Sequence, residues 1–303
     1  MKKILYQWLS ALTLCLTMAA NGAYFQVENA AGKQAVPKNP QRIVTLDFAA
    51  ADTLRALGEA NKIVGFPKGG SVPAYLSGFS TNQFQNVGTL HEPAFEIINE
   101  LAPDLIVLSP RQQKILEKFK EIAPVFFAQT DYRNYYPSFE QNILAFGKIL
   151  NKEDLAKQKL NALNEKVRQL AERVKGKTAL LILVNESRIS VFGDNSRYAL
   201  LYQKFGFTPT DKNIKSSTHG MSVGFEYLVE QNPDYLFVVD RTAAITDKVD
   251  NAQHVLDNTL IRQTDAYKNN RIVYLNAANW YLAFGGLQSM EMMAQEIESA
   301  VEK

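Results

Sequence analysis

The chain has 303 residues, 46% of them hydrophobic and 21% charged, with 33 Lys and Arg against 31 Asp and Glu. That length allows two domains of ordinary size, and the near-neutral balance supplies no global field to attract nucleic acid or an anionic membrane surface. The one cysteine, Cys15, lies in the N-terminal segment, which excludes disulfides, thiolate catalysis and iron–sulfur or zinc–thiolate sites from the rest of the chain.

The chain starts MKKILYQWLSALTLCLTMAANGA. Two lysines, an apolar stretch and small residues read as a secretory signal peptide over residues 1–22. Gln7 and Ser10 interrupt the run, which falls short of the roughly 20 apolar residues of a membrane span. Leu14 precedes Cys15 where a lipoprotein signal needs a small residue, so lipid anchoring at Cys15 is disfavoured. Removing Lys2 and Lys3 with the leader leaves 31 basic and 31 acidic residues.

Strands and helices then alternate. RIVTL (residues 42–46) is a β-branched run, and AAADTLRALG follows as a helix ending at Gly58. KIVGF is the next strand. FEIINELAPDLIVLS reads as a helix, a Pro-Asp turn and a strand at 105–108. RQQKILEKFKEIA is a further helix and PVFFA a further strand. Continuous apolar strands are buried on both faces, which points to a parallel sheet flanked by helices.

From Asn151 to Lys175 there is no Gly or Pro. Asn151 reads as an N-cap, acids fill the first turn and Gly176 ends the segment. Leu155, Leu160, Leu163, Val167, Leu170 and Val174 recur at helical spacing. The predicted helix is roughly 35 Å long, enough to act as a stiff strut between two lobes.

The second half repeats the plan. TALLILV is a strand, RISVFG a hairpin arm, SRYALLYQKFGF a helix and loop, and RIVYL (271–275) a strand before a terminal helix from about Leu287. FEYLVEQNPDYLFVVDR, from Phe225, matches FEIINELAPDLIVLSPR, from Phe95, at an offset of 130 residues. The match pairs Glu96 with Glu226, Asp104 with Asp234 and Arg111 with Arg241. These observations predict an α/β protein of two Rossmann-like lobes with parallel sheets, residues 23–148 and 177–303. A single long helix, 149–176, joins them, and a ligand cleft lies between.

Ligands of such sheets sit beyond the carboxyl ends of the strands. Arg111 and Arg241 each follow a repeated strand, one for each wall of the cleft. Arg197 in GDNSRYALLY, His219 in SSTHGMS and Tyr281 in NAANWYLAFGG lie in loops that open on the same cleft, and Trp280 is assigned to the ligand wall beside Tyr281. Three fixed guanidinium groups select an anion rich in planar oxygen groups. A phenolate suits a hard ion such as Fe(III), and imidazole also binds iron. GFPKGGS lacks the phosphate-binding lysine of a P-loop, and no GxGxxG, GxSxG or HExxH motif is present. A site of His91, His219 and His254 is set aside, because the three lie far apart and His254 falls in a helical surface segment.

The chain resembles the periplasmic substrate-binding proteins of ABC importers for iron–siderophore complexes. The resemblance is carried by PQRIVTLDFAAADTLRALG, the repeated FE…PD units, SRYALLYQKFG, STHGMSVGFEYL and NWYLAFGGLQS, and it covers essentially the whole mature chain. Within that class it is most similar to ferric catecholate binders of the enterochelin (enterobactin) type. The resemblance implies that His219 and Tyr281 complete the coordination of Fe(III) held by a tetradentate bis-catecholate, and that Arg111, Arg197 and Arg241 line the pocket. It implies docking of Glu96 and Glu226 on an inner-membrane ABC permease. It further implies a monomer in the periplasm, Fe(III) as cargo rather than cofactor, and no enzymatic activity. Metal binding should favour the phenolate of Tyr281 well below the free value of about 10. The alternatives are a haem- or cobalamin-binding protein of the same fold, an α/β enzyme, and a structural or sensor partner in the envelope.

Overall fold

The computed structural model describes residues 24–302 apart from Ser216, Thr218, Asp247 and Val249. The leader expected at 1–22, with Cys15, lies outside the described residues. The described chain opens with an antiparallel hairpin that the sequence reading does not anticipate, β1 (Tyr24–Asn29) and β2 (Gly32–Pro37). Its polar residues dress the edge of the first sheet. Gln34 accepts from the backbone N–H of Phe127 at 2.7 Å, and Asn29 donates to the Phe127 carbonyl at 2.9 Å. Side chains thus occupy backbone groups that would otherwise invite another strand.

The first sheet contains β3 (Ile43–Thr45), β4 (Ile63–Phe66), β5 (Gln85–Asn86), β6 (Leu105–Leu108) and β7 (Val125–Phe127). They are ordered β5-β4-β3-β6-β7 and all pairs are parallel. Between them run α1 (Phe48–Ala56), α2 (Phe95–Glu100) and α3 (Leu116–Lys120). RQQKILEKFKEIA is not one helix. Pro110 opens a 3-10 turn over Pro110–Ile115, where Ser109 and Gln112 form a capping box, and only α3 continues as α-helix.

Two helices cross to the second half, α4 (Tyr135–Leu150) and α5 (Glu153–Arg173). Asn151 closes α4 in the left-handed conformation, φ 55°, instead of capping α5. The expected strut is therefore shorter, about 31 Å for its 21 residues. Its apolar stripe is as predicted, with Leu160, Leu163, Val167 and Leu170 buried.

The second half contains β8 (Thr178–Asn185), β9 (Arg188–Phe192), α6 (Leu200–Gln203), β10 (Thr208–Pro209), β11 (Met221–Val223), α7 (Phe225–Gln231), β12 (Tyr235–Asp240), α8 (Arg241–Ile245), α9 (Asn251–Leu256), α10 (Asp265–Lys268), β13 (Ile272–Leu275) and α11 (Leu287–Val301). Strand order is β11-β9-β8-β12-β13, with β10 beside the start of β8. This sheet is mixed rather than parallel, because the β8–β9 hairpin reverses β9 against both neighbours.

Strand alternation divides the core. Ile43, Leu105 and Val107 face one way, whereas Val44, Ile106 and Leu108 face a separate outer cluster. Leu181, Leu183, Phe237 and Val239 likewise face inward, and Leu180, Ile182, Val184, Leu236 and Val238 face another outer cluster. The two inward faces belong to one continuous core, filled by α1, α4, α5 and α11. Each buried Leu, Val or Ile in it contributes roughly 1.5–3 kcal/mol. A shared core of this size ties the sheets together far more firmly than a linker would.

The repeated Pro-Asp has a structural cause. Asp104 accepts from the backbone N–H of Gln41 at 2.7 Å and of Arg42 at 2.9 Å, just before β3. Asp234 accepts from the N–H and hydroxyl of Thr178, at 2.8 and 2.9 Å, where β8 starts. Those bonds hold the Asp234 carboxyl below its ordinary range. Each aspartate fastens the start of one central strand to its neighbour.

Candidate ligand-binding site

The carboxyl ends of both sheets open on one cavity of about 450 Å³. Asp47 enters after β3, Arg111 after β6, Thr130 and Tyr132 after β7, Asn185 at the end of β8, Arg241 after β12 and Tyr281 after β13. The antiparallel β9 starts at the same end and adds Arg188, Ser190 and Phe192.

Tyr281 is the centre of this site. It lies in a single π-helical turn, Ala278–Leu282, closed by the Ala283 N–H on the Ala278 carbonyl at 3.0 Å. Such turns are uncommon and recur at functional positions. The turn leaves the Tyr281 carbonyl pointing at two arginines. Arg111 Nη2 donates to it at 2.9 Å and Arg197 Nη2 at 3.2 Å. Arg241 Nε donates to the phenol oxygen at 2.7 Å, and its Nη1 is braced on Asn185 Oδ1 at 2.8 Å. The guanidinium carbons of Arg197 and Arg241 also stand 5.1 and 5.5 Å from the Tyr281 ring centre, within cation–π range.

The electrostatics are strongly one-sided. Among the described residues, four arginines line the cavity against one carboxylate, Asp47. Asp47 caps α1 through the Ala50 N–H at 3.1 Å and stands 3.9 Å from Arg111. Burial raises its carboxyl, and Arg111 and the helix N–H groups act the other way. Burial, then the neighbouring Arg197, lowers Arg111, which nevertheless stays charged as arginines in proteins do. Three cations crowded on one tyrosine repel one another, so an anion arriving in the cavity relieves that repulsion.

His219 lines the same cavity from an exposed loop. Gly220 beside it has φ +74°, and a Cβ there would come within 2.8 Å of the Val191 carbonyl, which accounts for glycine after the histidine. The structure therefore brings Arg111, Arg197, Arg241, His219 and Tyr281 together. Trp280 is a correction. Its ring is fully buried and its Nε1 donates to Glu296 at 2.8 Å, so it anchors the π-turn from behind and does not face the cavity. Glu96 and Glu226 are exposed in the first turns of α2 and α7. His254 is exposed on α9, with Nδ1 2.7 Å from the Asp250 carbonyl.

Among the lining residues that the sequence did not assign to the site are Asp47, His91, named only in the histidine set put aside, and Arg188. Burial, then Arg111 and Arg241, holds the His91 imidazole below its ordinary value. For Arg188 the signal was present in RISVF, whose alternation sends residues 188, 190 and 192 to one face.

The sequence matches the periplasmic binding protein family over residues 43–278. The petrobactin-binding protein of Bacillus subtilis is 42% identical over 271 residues, spanning 88% of this chain and 84% of that protein. Its crystal structure matches with a TM-score of 0.89 at 39% identity, covering 92% of this chain and 99% of that one. The periplasmic catecholate-siderophore binding protein of Vibrio cholerae matches with a TM-score of 0.86 at 30% identity, over 91% of this chain and 99% of that one. The ferric-anguibactin-binding protein of Vibrio anguillarum is 31% identical over 281 residues, spanning 89% of this chain and 85% of that protein. No helix among the described residues is long and apolar enough to cross a membrane. The chain belongs to the periplasmic binding protein family and is a substrate-binding protein rather than an enzyme.

Proposed function

We propose that this protein captures an anionic ferric catecholate siderophore in the periplasm and delivers it to an inner-membrane ABC permease. The observation that carries this reading is the convergence of Arg111, Arg197 and Arg241 on Tyr281 in one cavity that also holds His219. The arginines neutralise and orient the catecholate oxygens. Tyr281 Oη, already facing the Arg241 cation, and the His219 imidazole take the iron positions that a tetradentate bis-catecholate leaves open. Siderophore-binding relatives support the cargo class. Four arginines around the cavity suit such an anion better than the apolar slot that haem requires.

On this reading residues 1–22 direct export, residues 23–148 and 177–303 act as the two lobes and residues 149–176 as their connection. The exposed Glu96 and Glu226, one in each half, present acids to the permease. The shared core favours small lobe movements, which comparing solution scattering of the apo and loaded protein would check.

The test is a titration of the mature protein with a ferric tetradentate bis-catecholate, followed by tryptophan quenching and visible absorbance, beside Tyr281→Phe and His219→Ala. Saturable binding with a charge-transfer band altered in both variants is the expected result. Binding unchanged in the variants removes both as iron ligands. No binding by the folded protein, together with a tight Soret band on adding haemin, overturns the cargo.

A further inference from the structure

Arg188 differs from the other three arginines of the cavity. Arg111, Arg197 and Arg241 are all spent on Tyr281, and Arg241 also on Asn185. The Arg188 side chain has no hydrogen bond or ion pair among the described residues, yet it is not a stray surface cation. It opens β9, and the two-residue period of that strand puts it in one row with Ser190 and Phe192, all three lining the cavity. Ile189 and Val191, on the opposite face, are buried in the outer core and fix the direction of the row. In the β8–β9 ladder Arg188 stands directly opposite Asn185, the residue that braces Arg241. The fourth guanidinium is therefore held beside the site by strand pairing and is exposed at its margin.

Among the described residues the protein offers it no anion: Asp47 is the one carboxylate of those lining the cavity, and it is committed to the start of α1 and to Arg111. A bound ligand can supply the partner. A guanidinium fork is suited to two oxygens in a plane, the geometry of a carboxylate.

We propose that Arg188 is a second recognition point, which takes a carboxylate carried on the siderophore backbone outside its iron-binding oxygens. This inference rests on the ferric siderophore reading above. The protein would then select, among ferric catecholates, those with an acidic backbone.

The experiment uses two ferric bis-catecholates with the same linker, one bearing a free carboxylate on it and the other the methyl ester. Each is titrated into the wild type, Arg188→Gln and Arg188→Lys. The wild type should bind the acid about tenfold more tightly than the ester, a preference of the size one charge-assisted contact at a partly exposed site supplies. Arg188→Gln should erase that preference, lowering the affinity for the acid about tenfold more than that for the ester and leaving the ester's charge-transfer band in place, and Arg188→Lys should retain part of it. Equal binding of acid and ester by the wild type overturns the proposal. So does a preference that survives in Arg188→Gln, which would make it an effect of total charge. If neither complex binds, the siderophore reading itself fails, and the inference with it.

Discussion

The carboxylate of Asp52 accepts the backbone N–H of Ser289 at 2.7 Å, joining the first helix to the start of the last across 237 residues of chain. It also accepts from the Gln288 N–H at 2.7 Å and from the Tyr75 hydroxyl at 2.8 Å. The segment it fastens follows directly on the π-turn that carries Tyr281. The loop that carries Tyr281 in one half is thus anchored on a helix of the other.

Asp52 makes stability depend on pH. Burial pushes its carboxyl from 3.8 up to about 6, outweighing the bonds from Gln288, Tyr75 and Ser289 and the nearby Arg55. Between those two values the folded state binds more protons than the unfolded one, so this group's contribution to stability falls as pH rises. The loss amounts to roughly 2 kcal/mol between pH 4 and 7. Asp52→Asn should be free of it. Urea unfolding of both proteins at the two pH values should therefore show the wild type losing ground against the variant by about that amount. A difference independent of pH would refute the assignment.

Arg241 is the one arginine on the phenol oxygen, so its loss should act on the iron chemistry as well as on affinity. Arg241→Gln should weaken ferric bis-catecholate binding by about 10- to 100-fold, the range for one charged hydrogen bond. It should also shift the charge-transfer band. Arg111→Gln, which removes a donor to the Tyr281 carbonyl and none to its phenol oxygen, should weaken binding and leave the band position alone. Paired titrations read by absorbance separate the two effects.

Trp280 should behave as core and as reporter. Trp8 and Trp280 are the two tryptophans, so the protein without residues 1–22 emits from Trp280 alone. Its full burial predicts emission at the short-wavelength end of the tryptophan range. Trp280→Phe should abolish that emission and lower stability by about 1–3 kcal/mol, because Glu296 loses a buried partner. Emission spectra and thermal unfolding check the two halves of this expectation.

Gly147 should tolerate no side chain. A Cβ there would lie 2.8 Å from that of Ala156, at the corner where α4 turns into α5. Gly147→Ala should cost about 1–3 kcal/mol through overpacking, in spite of alanine's better helix propensity. A denaturant midpoint equal to or above that of the wild type would show that the corner can relax.

Most of the site was legible because its signals are local or repeated. The offset between Phe95 and Phe225 pairs Arg111 with Arg241, and both follow the carboxyl end of a central strand. Trp280 and Tyr281 show where that reading stops. They are neighbours on one π-turn, and nothing local says which of them faces the core. Packing decides it, because the indole finds Glu296 on α11 while the phenol finds Arg241 on α8. Asn151 fails in a related way. Its residue type suits either end of a helix, and only the approach of Gly147 to Ala156 makes it the end of α4.

The sequence by itself determined the alternation of strands and helices, the duplication and the chemistry of the loops, since each depends on residues close together in the chain. Tertiary structure alone decided the pairing of β9 with β11 and the clasp of Asp52 on Ser289. It also decided the merging of two inward sheet faces into one core. Those features depend on contacts between residues tens to hundreds of positions apart, and burial and hydrogen-bond satisfaction select them only once the whole chain has packed.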